Sequence, residues 1–212
     1  MSKIKKILMS LFLVIAFTAV SNLEVNTYVL FNSNYKLLSG VTDRHYYIQP
    51  GSEAAEYGGV TVNYSTIIRD AVDKWNISVD GGTEDVNFIE TTSRSASVSD
   101  FYVAAYDQEW LGLTDHMYNS TTVHTGTGGA IASSWGYFKV FIDTASLNVI
   151  SSSNNKYGVA PYNFRFGVIG HEFGHGLGLA HSSSVDVLMY GGASIKRYTP
   201  ATDDISGVRA LY

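Results

Sequence analysis

Apolar and polar positions follow several distinct patterns along this chain. Lys3, Lys5 and Lys6 precede a mostly apolar run from Ile7 to Val20, with small residues just before Asn22. A basic start, a short apolar run and small closing residues predict an export signal over residues 1–21. The run is too short for a spanning helix. Residues 22–40 are mixed and polar. Residues 42–48, rich in aromatic and branched side chains, predict a first strand that ends at Pro50 and Gly51. From Ser65, a candidate N-cap, apolar side chains at Ile67, Ile68, Ala71, Val72 and Trp75 repeat with helical period. Arg69, Asp70, Asp73 and Lys74 occupy the other side, so this helix should lie on a sheet with Trp75 in the core. Residues 86–91 and 100–106 predict two more strands, 130–133 a short edge strand and 137–142 a stronger strand. Residues 112–129 are rich in Gly, Ser, Thr and Asn and predict a long loop. Residues 151–156 form a polar loop. Asn163 is placed to cap a second helix whose buried side would carry Phe164, Val168, Phe173 and Leu177. The order strand, helix, several strands, helix, loop, helix gives an α+β or mixed α/β layout. Residues 41–212 suffice for one domain with a good core.

Composition narrows the setting. The chain has 212 residues, no cysteine and a formal net charge of −5, and it becomes more acidic once the signal lysines are removed. An exported protein without cysteine relies on its core and on bound metal rather than on disulfides. An acidic surface disfavours nucleic acid and anionic lipid as partners. It is compatible with Ca2+ binding. No later stretch is apolar enough to span a bilayer. The expectation is a secreted, extracellular monomer without a stable membrane anchor.

The chemistry concentrates in residues 170–181, Gly-His-Glu-Phe-Gly-His-Gly-Leu-Gly-Leu-Ala-His. On a helix, His171 and His175 project from one face and can reach a single Zn2+ ion. Glu172 follows the first histidine and can hold a water beside the metal. Gly178 lets the chain leave the helix through a conformation that side chains with a Cβ rarely adopt, returning His181 as a third ligand. Three protein ligands with a fourth position open is the catalytic pattern of zinc coordination. Glycines 174, 176 and 178 would each cost about 1 kcal/mol against alanine in a helix interior. They therefore imply close packing or a planned exit.

From His171 onward the sequence resembles the metzincin zinc peptidases, and among them the matrixins. Ser182 follows the third histidine. Residues 187–190, Val-Leu-Met-Tyr, look like the family's Met-turn, with Met189 at its centre. The closing stretch Asp203-Asp204-Ile205-Ser206-Gly207-Val208-Arg209-Ala210-Leu211-Tyr212 is similar to the final matrixin helix. Upstream, Gly128-Gly129-Ala130-Ile131-Ala132 resembles the family's substrate-edge strand. The resemblance implies a twisted five-stranded, mostly parallel sheet with one antiparallel edge strand and three helices. Its active-site cleft lies under the edge strand, where Ala130, Ile131 and Ala132 would pair with an extended substrate. It also implies Met189 as a floor under the imidazoles, and residues 191–199 as the lining of a side-chain pocket. Tyr190 falls one residue short of the position where some metzincins have a tyrosine ligand.

The chain departs from animal matrixins at their second, structural zinc. Ser133 and Val140 fall where histidines would stand. His116 and His124 remain, with Asp107, Asp115 and Asp143 nearby, and read either as a second zinc site or as exposed loop histidines. Asp100, Asp107, Asp115 and Asp143 are the candidates for Ca2+. Without cysteine, a thiolate latch on the zinc is excluded. Residues 22–40 could serve as a minimal propeptide, with Glu24 reaching the zinc.

The expected activity is zinc-dependent endopeptidase hydrolysis of a protein or peptide substrate, with one catalytic Zn2+ on His171, His175 and His181. Glu172 acts as general base and then acid. Two other readings are a zinc-binding, protease-like module without turnover and a hydrolase of a non-peptide amide such as a cell-wall bond. An intact Glu172 argues against the first, and the family resemblance disfavours the second.

Overall fold

The structure, a computed structural model, describes residues 28–57, 60–76, 86–126, 130–148, 160–192 and 196–212. The expected export signal, Glu24, Gly128, Gly129 and the polar loop 151–156 lie outside them.

After a two-residue strand β1 (Val29–Leu30) comes β2 (Arg44–Ile48), then the antiparallel pair β3 (Ala55–Tyr57) and β4 (Val60–Val62). Helix α1 (Tyr64–Trp75) leads to β5 (Phe88–Glu90), β6 (Ser99–Ala104), β7 (Gly112–Tyr118), β8 (Thr121–Thr125) and β9 (Tyr137–Asp143). A short helix α2 (Thr144–Asn148), the long helix α3 (Tyr162–Gly176), a short strand β10 (Leu179–Ala180) and helix α4 (Thr202–Leu211) complete the order. The main sheet runs β5-β2-β6-β9-β7-β8. Its first four strands are parallel, β7 runs antiparallel to β9, and β8 runs antiparallel to β7. The mixed α/β layout is the expected one, with six strands in place of five.

Period-two alternation gives each strand its buried face. Phe138, Val140 and Ile142 of β9 are buried between half-buried Tyr137, Lys139 and Phe141. Phe173 of α3 meets the rings of Phe88, Phe101 and Phe138 at centroid distances of 5.0, 6.0 and 5.5 Å. This aromatic cluster seats α3 on the sheet. Trp75 lies in the core as expected, and its indole N–H donates to Gly170 O at 2.9 Å. Val168, Phe173 and Leu177 are buried and Phe164 is half-buried.

Three local expectations give way to the structure. Asn63, not Ser65, caps α1: its Oδ1 accepts from Thr66 N at 3.1 Å and from the Ser65 hydroxyl at 2.7 Å. Asn163 lies inside the first turn of α3, which begins after Pro161. Pro161 stands at the N-cap in extended conformation, φ −66° and ψ 161°, and no side chain caps the helix. The long loop of 112–129 is largely the β7–β8 hairpin. Its turn residues Asn119 and Ser120 have φ of 49° and 64°, the positive pair that tight hairpins require. Its composition suggested a loop, yet Thr114, His116 and His124 are buried on the covered face.

The expected edge strand at 130–133 is also absent. Ala130, Ile131 and Ala132 belong to no strand; Ile131 is buried, while Ala130 and Ala132 are exposed. The N-terminal segment meets this stretch instead, at Ile131 and Trp135. Asn32 Nδ2 donates to Ile131 O at 3.4 Å, and Trp135 exchanges backbone hydrogen bonds with Lys36 and Leu38. Residues 28–40 are thus packed into the body of the protein. β1 pairs with β10, and Phe31 and Leu37 are buried. Lys36 Nζ donates to Leu211 O at 3.0 Å.

Candidate active site

The Gly-rich end of α3 is explained by what stands against it. A Cβ on Gly174 would lie 2.5 Å from Met189 Sδ and 2.8 Å from Trp75, and one on Gly176 only 2.1 Å from the Phe138 ring. Close approach thus dictates both residues. Gly178 has φ +105°, the left-handed region that ends the helix. The exit is fixed by donors from separate elements. His116 Nε2–H donates to His175 O at 2.8 Å, Trp135 Nε1–H to Gly176 O at 3.1 Å, and Phe31 N–H to Gly178 O at 3.2 Å.

The exit turn brings His181 back to His171 and His175. The three ring centroids lie 4.6, 5.0 and 5.0 Å apart, and one nitrogen from each lies within 4.8 Å of the others. The outer nitrogens of His171 and His175 are committed. His171 Nδ1–H donates to Leu188 O at 2.8 Å, and His175 Nδ1–H to Leu179 O at 2.7 Å. These bonds fix the tautomer and turn the Nε2 lone pairs inward. Burial lowers all three histidines, His171 to about 4, so the rings are neutral, as a metal ligand must be. His175 Nε2 is buried without a hydrogen-bond partner, and His171 Nε2 faces His181 Nε2 at 3.0 Å. A tetrahedral ion with Zn–N bonds of about 2.0–2.1 Å requires nitrogens roughly 3.3 Å apart. The donor set therefore fits zinc.

Met189 is buried, and the turn that carries it is clamped by Asp204. Its carboxylate accepts from the backbone N–H groups of Leu188, Met189 and Ala201 at 2.9, 3.2 and 2.7 Å. Gly191 packs flat on His181, where a Cβ would stand 2.7 Å from Nδ1.

Glu172 lies between β7 and the cleft. Burial pushes its carboxyl up to about 8, against the pull of a hydrogen bond from Thr114. A cleft of about 300 Å³ opens in front of it, with His171, Glu172 and His181 at its base. Leu111, Gly112 and Leu113 form one wall, and Tyr190, Gly191 and Gly192 form another. Of the segment expected to line the pocket, 191–199, the first two residues do so, and 193–195 lie outside the described residues.

His116 and His124 are buried rather than exposed, and their rings lie 5.3 Å apart with Phe31 against both. Among the described residues, His171, His175 and His181 are the one group of three metal-ligating side chains that converges. Asp143 accepts from Tyr106, Gln108 and Ala145 N–H, and Asp100 from Arg94 and Ser97. Those two carboxylates organise loops. Thr114, Gly112 and Gly191, which shape the site, carry no sequence motif. The one available clue is that they are small residues flanking bulky ones.

A family model described as matrixin, of the peptidase M10 group, matches residues 60–212. Human (Homo sapiens) neutrophil collagenase is 48% identical over 56 residues, 25% of this chain, and the match spans 12% of that relative's length. Among solved structures, the GM1-bound form of the ECX AB5 holotoxin superposes with a TM-score of 0.54 at 17% identity, covering 88% of each chain. That likeness concerns the fold alone.

Proposed function

The chain belongs to the matrixin family, whose members use a catalytic zinc, and we propose that it is an exported endopeptidase hydrolysing peptide bonds in proteins. One observation carries this reading. Three imidazoles bring one nitrogen each to within 4.8 Å of the others at the base of an open cleft, with Glu172 beside them. His171, His175 and His181 would hold the zinc, which when bound supplies a Lewis acid for the scissile carbonyl. Glu172 takes the proton from the attacking water and passes it to the leaving amine. Its raised affinity for a proton suits both halves of that task.

The substrate backbone needs a strand edge, and among the described residues β7 leaves one open at Gly112. Leu111 O accepts from Asp143 N on the β9 side, and Thr114 O accepts from Gly126 N on the β8 side. Alternation then turns the Gly112 N–H and C=O away from β9. The β8 pairing begins only at Asp115. An extended peptide laid beside Gly112 would pass directly over Glu172. This assigns to Gly112 the role that the sequence suggested for Ala130, Ile131 and Ala132. Residues 1–21 would direct export; among the described residues no helix is long and apolar enough to cross a membrane.

The test is incubation of the purified protein with casein or gelatin, with and without a zinc chelator, alongside Glu172→Ala. Chelator-sensitive cleavage is expected, lost in Glu172→Ala with zinc stoichiometry retained. Cleavage by the variant at the wild-type rate would refute the mechanism.

A further inference from the structure

Thr114 is fully buried on β7, and its hydroxyl faces Glu172. Its Oγ1 lies 2.9 Å from Glu172 Oε2 and 2.8 Å from Glu172 O. One hydroxyl proton therefore faces two acceptors on the same residue. The backbone of Thr114 is spent elsewhere, its O on Gly126 N and its strand position on the β9 ladder opposite Val140. The hydroxyl is thus held in place from both sides of the strand. Across from it, Gly112 leaves room for the Glu172 stem; a Cβ there would stand 2.5 Å from Cγ and 3.0 Å from Oε1. Oε2 points at Thr114, while Oε1 lies on the Gly112 side, which lines the cleft.

We propose that Thr114 is a positioning residue that divides the labour of the Glu172 carboxylate, fixing Oε2 so that Oε1 alone meets the reacting water and the leaving amine. This rests on the endopeptidase reading above. A hydroxyl can donate to a carboxylate oxygen and equally to the carbonyl oxygen of a carboxylic acid. The contact therefore survives when Glu172 gains a proton from water at Oε1 and when it gives that proton up. With the carboxylate charged, Oγ1–H turns to Oε2. With it neutral and the proton on Oε1, Oε2 is still an acceptor, so the same Oγ1–H···Oε2 bond stands. No residue has to move during the transfer. The carboxylate keeps one rotamer throughout, which is what a proton carrier working at hydrogen-bond range needs. Valine has the shape of threonine without the hydroxyl, so it separates this role from packing.

The experiment compares zinc-loaded wild type, Thr114→Val and Thr114→Ser in steady-state kinetics on a quenched peptide, with zinc content, Tm and crystal structures of each. Valine should lower kcat about 10- to 100-fold, the range expected for losing a hydrogen bond to a charged group. KM and zinc stoichiometry should hold, and serine should restore most of the rate. In the Thr114→Val crystal, the Glu172 carboxylate should leave its wild-type rotamer. Should valine prevent folding, Thr114→Ala against Thr114→Ser makes the same comparison. An unchanged kcat in the hydroxyl-free variant, or a loss that serine does not repair, overturns the proposal. Wild-type protein that cleaves nothing would instead sink the endopeptidase reading. The crystal comparison would still decide whether Thr114 holds Glu172.

Discussion

Gly112→Ala tests the seat of Glu172, the proposed general base, directly. Gly112 lies in extended strand, which alanine adopts without strain, so the perturbation is the methyl group alone. Built on the present backbone, that methyl carbon stands 2.5 Å from Glu172 Cγ and 3.0 Å from Cδ and Oε1. Carbon atoms in contact prefer about 3.5–4.0 Å, so the Glu172 side chain must retreat by roughly 1 Å. It cannot do so freely, because Oε2 is tied to Thr114 and the residue is 7% exposed. A displacement of about 1 Å at a reacting group costs on the order of 100-fold in rate, or about 2.7 kcal/mol of transition-state stabilisation. The accompanying overpacking should cost about 1–3 kcal/mol of stability. For a chain of this size that lowers Tm by roughly 2–4 °C per kcal/mol. The assay is kcat/KM on a quenched peptide, with zinc content and a thermal melt on the same preparation. The expected variant is folded, binds one zinc and is nearly inactive. If it keeps kcat/KM within about threefold of wild type, Glu172 does not work from this position, and the placement of substrate beside Gly112 falls with it.

Gly191→Ala should show the opposite split: its methyl meets the His181 ring at 2.7 Å, so zinc affinity in a chelator competition should fall about 10- to 100-fold with little change in Tm. Retained affinity would show that His181 does not depend on that contact. Phe31→Ala removes a buried ring lying against His116, His124 and His175. It should cost about 3–5 kcal/mol in urea unfolding, and an unchanged midpoint would mean that the N-terminal segment is dispensable to the fold. Asp204→Ala leaves the N–H groups of Leu188, Met189 and Ala201 without their acceptor. At about 1–3 kcal/mol for each unsatisfied buried group, the melt should drop well beyond the effect of an ordinary surface substitution, and a wild-type melt would contradict the clamp.

The chain announces its chemistry locally. His171, Glu172, His175, Gly178 and His181 lie within eleven residues, and helix geometry alone sends two imidazoles to one side. The helical stripe ending at Trp75 and the alternation in β9 are local as well, so both were legible. What surrounds the triad was not legible. The β7–β8 hairpin is built from Gly, Thr, Asn and Ser, whose local preferences favour loops. It becomes sheet because β9 and the underside of α3 bury Thr114 and His116. Residues 130–133 look like strand by composition, yet Asn32 takes Ile131 O and the segment from Lys36 to Leu38 pairs with Trp135 just beyond them. Identity of the metal site is set by spacing along one helix and its exit turn. The working geometry of Glu172 is set by Gly112 and Thr114, some 60 residues earlier, through non-local contacts that no local pattern records. Sequence thus determines which atoms can do the chemistry, and the tertiary packing decides where Glu172 stands and which strand edge faces the cleft.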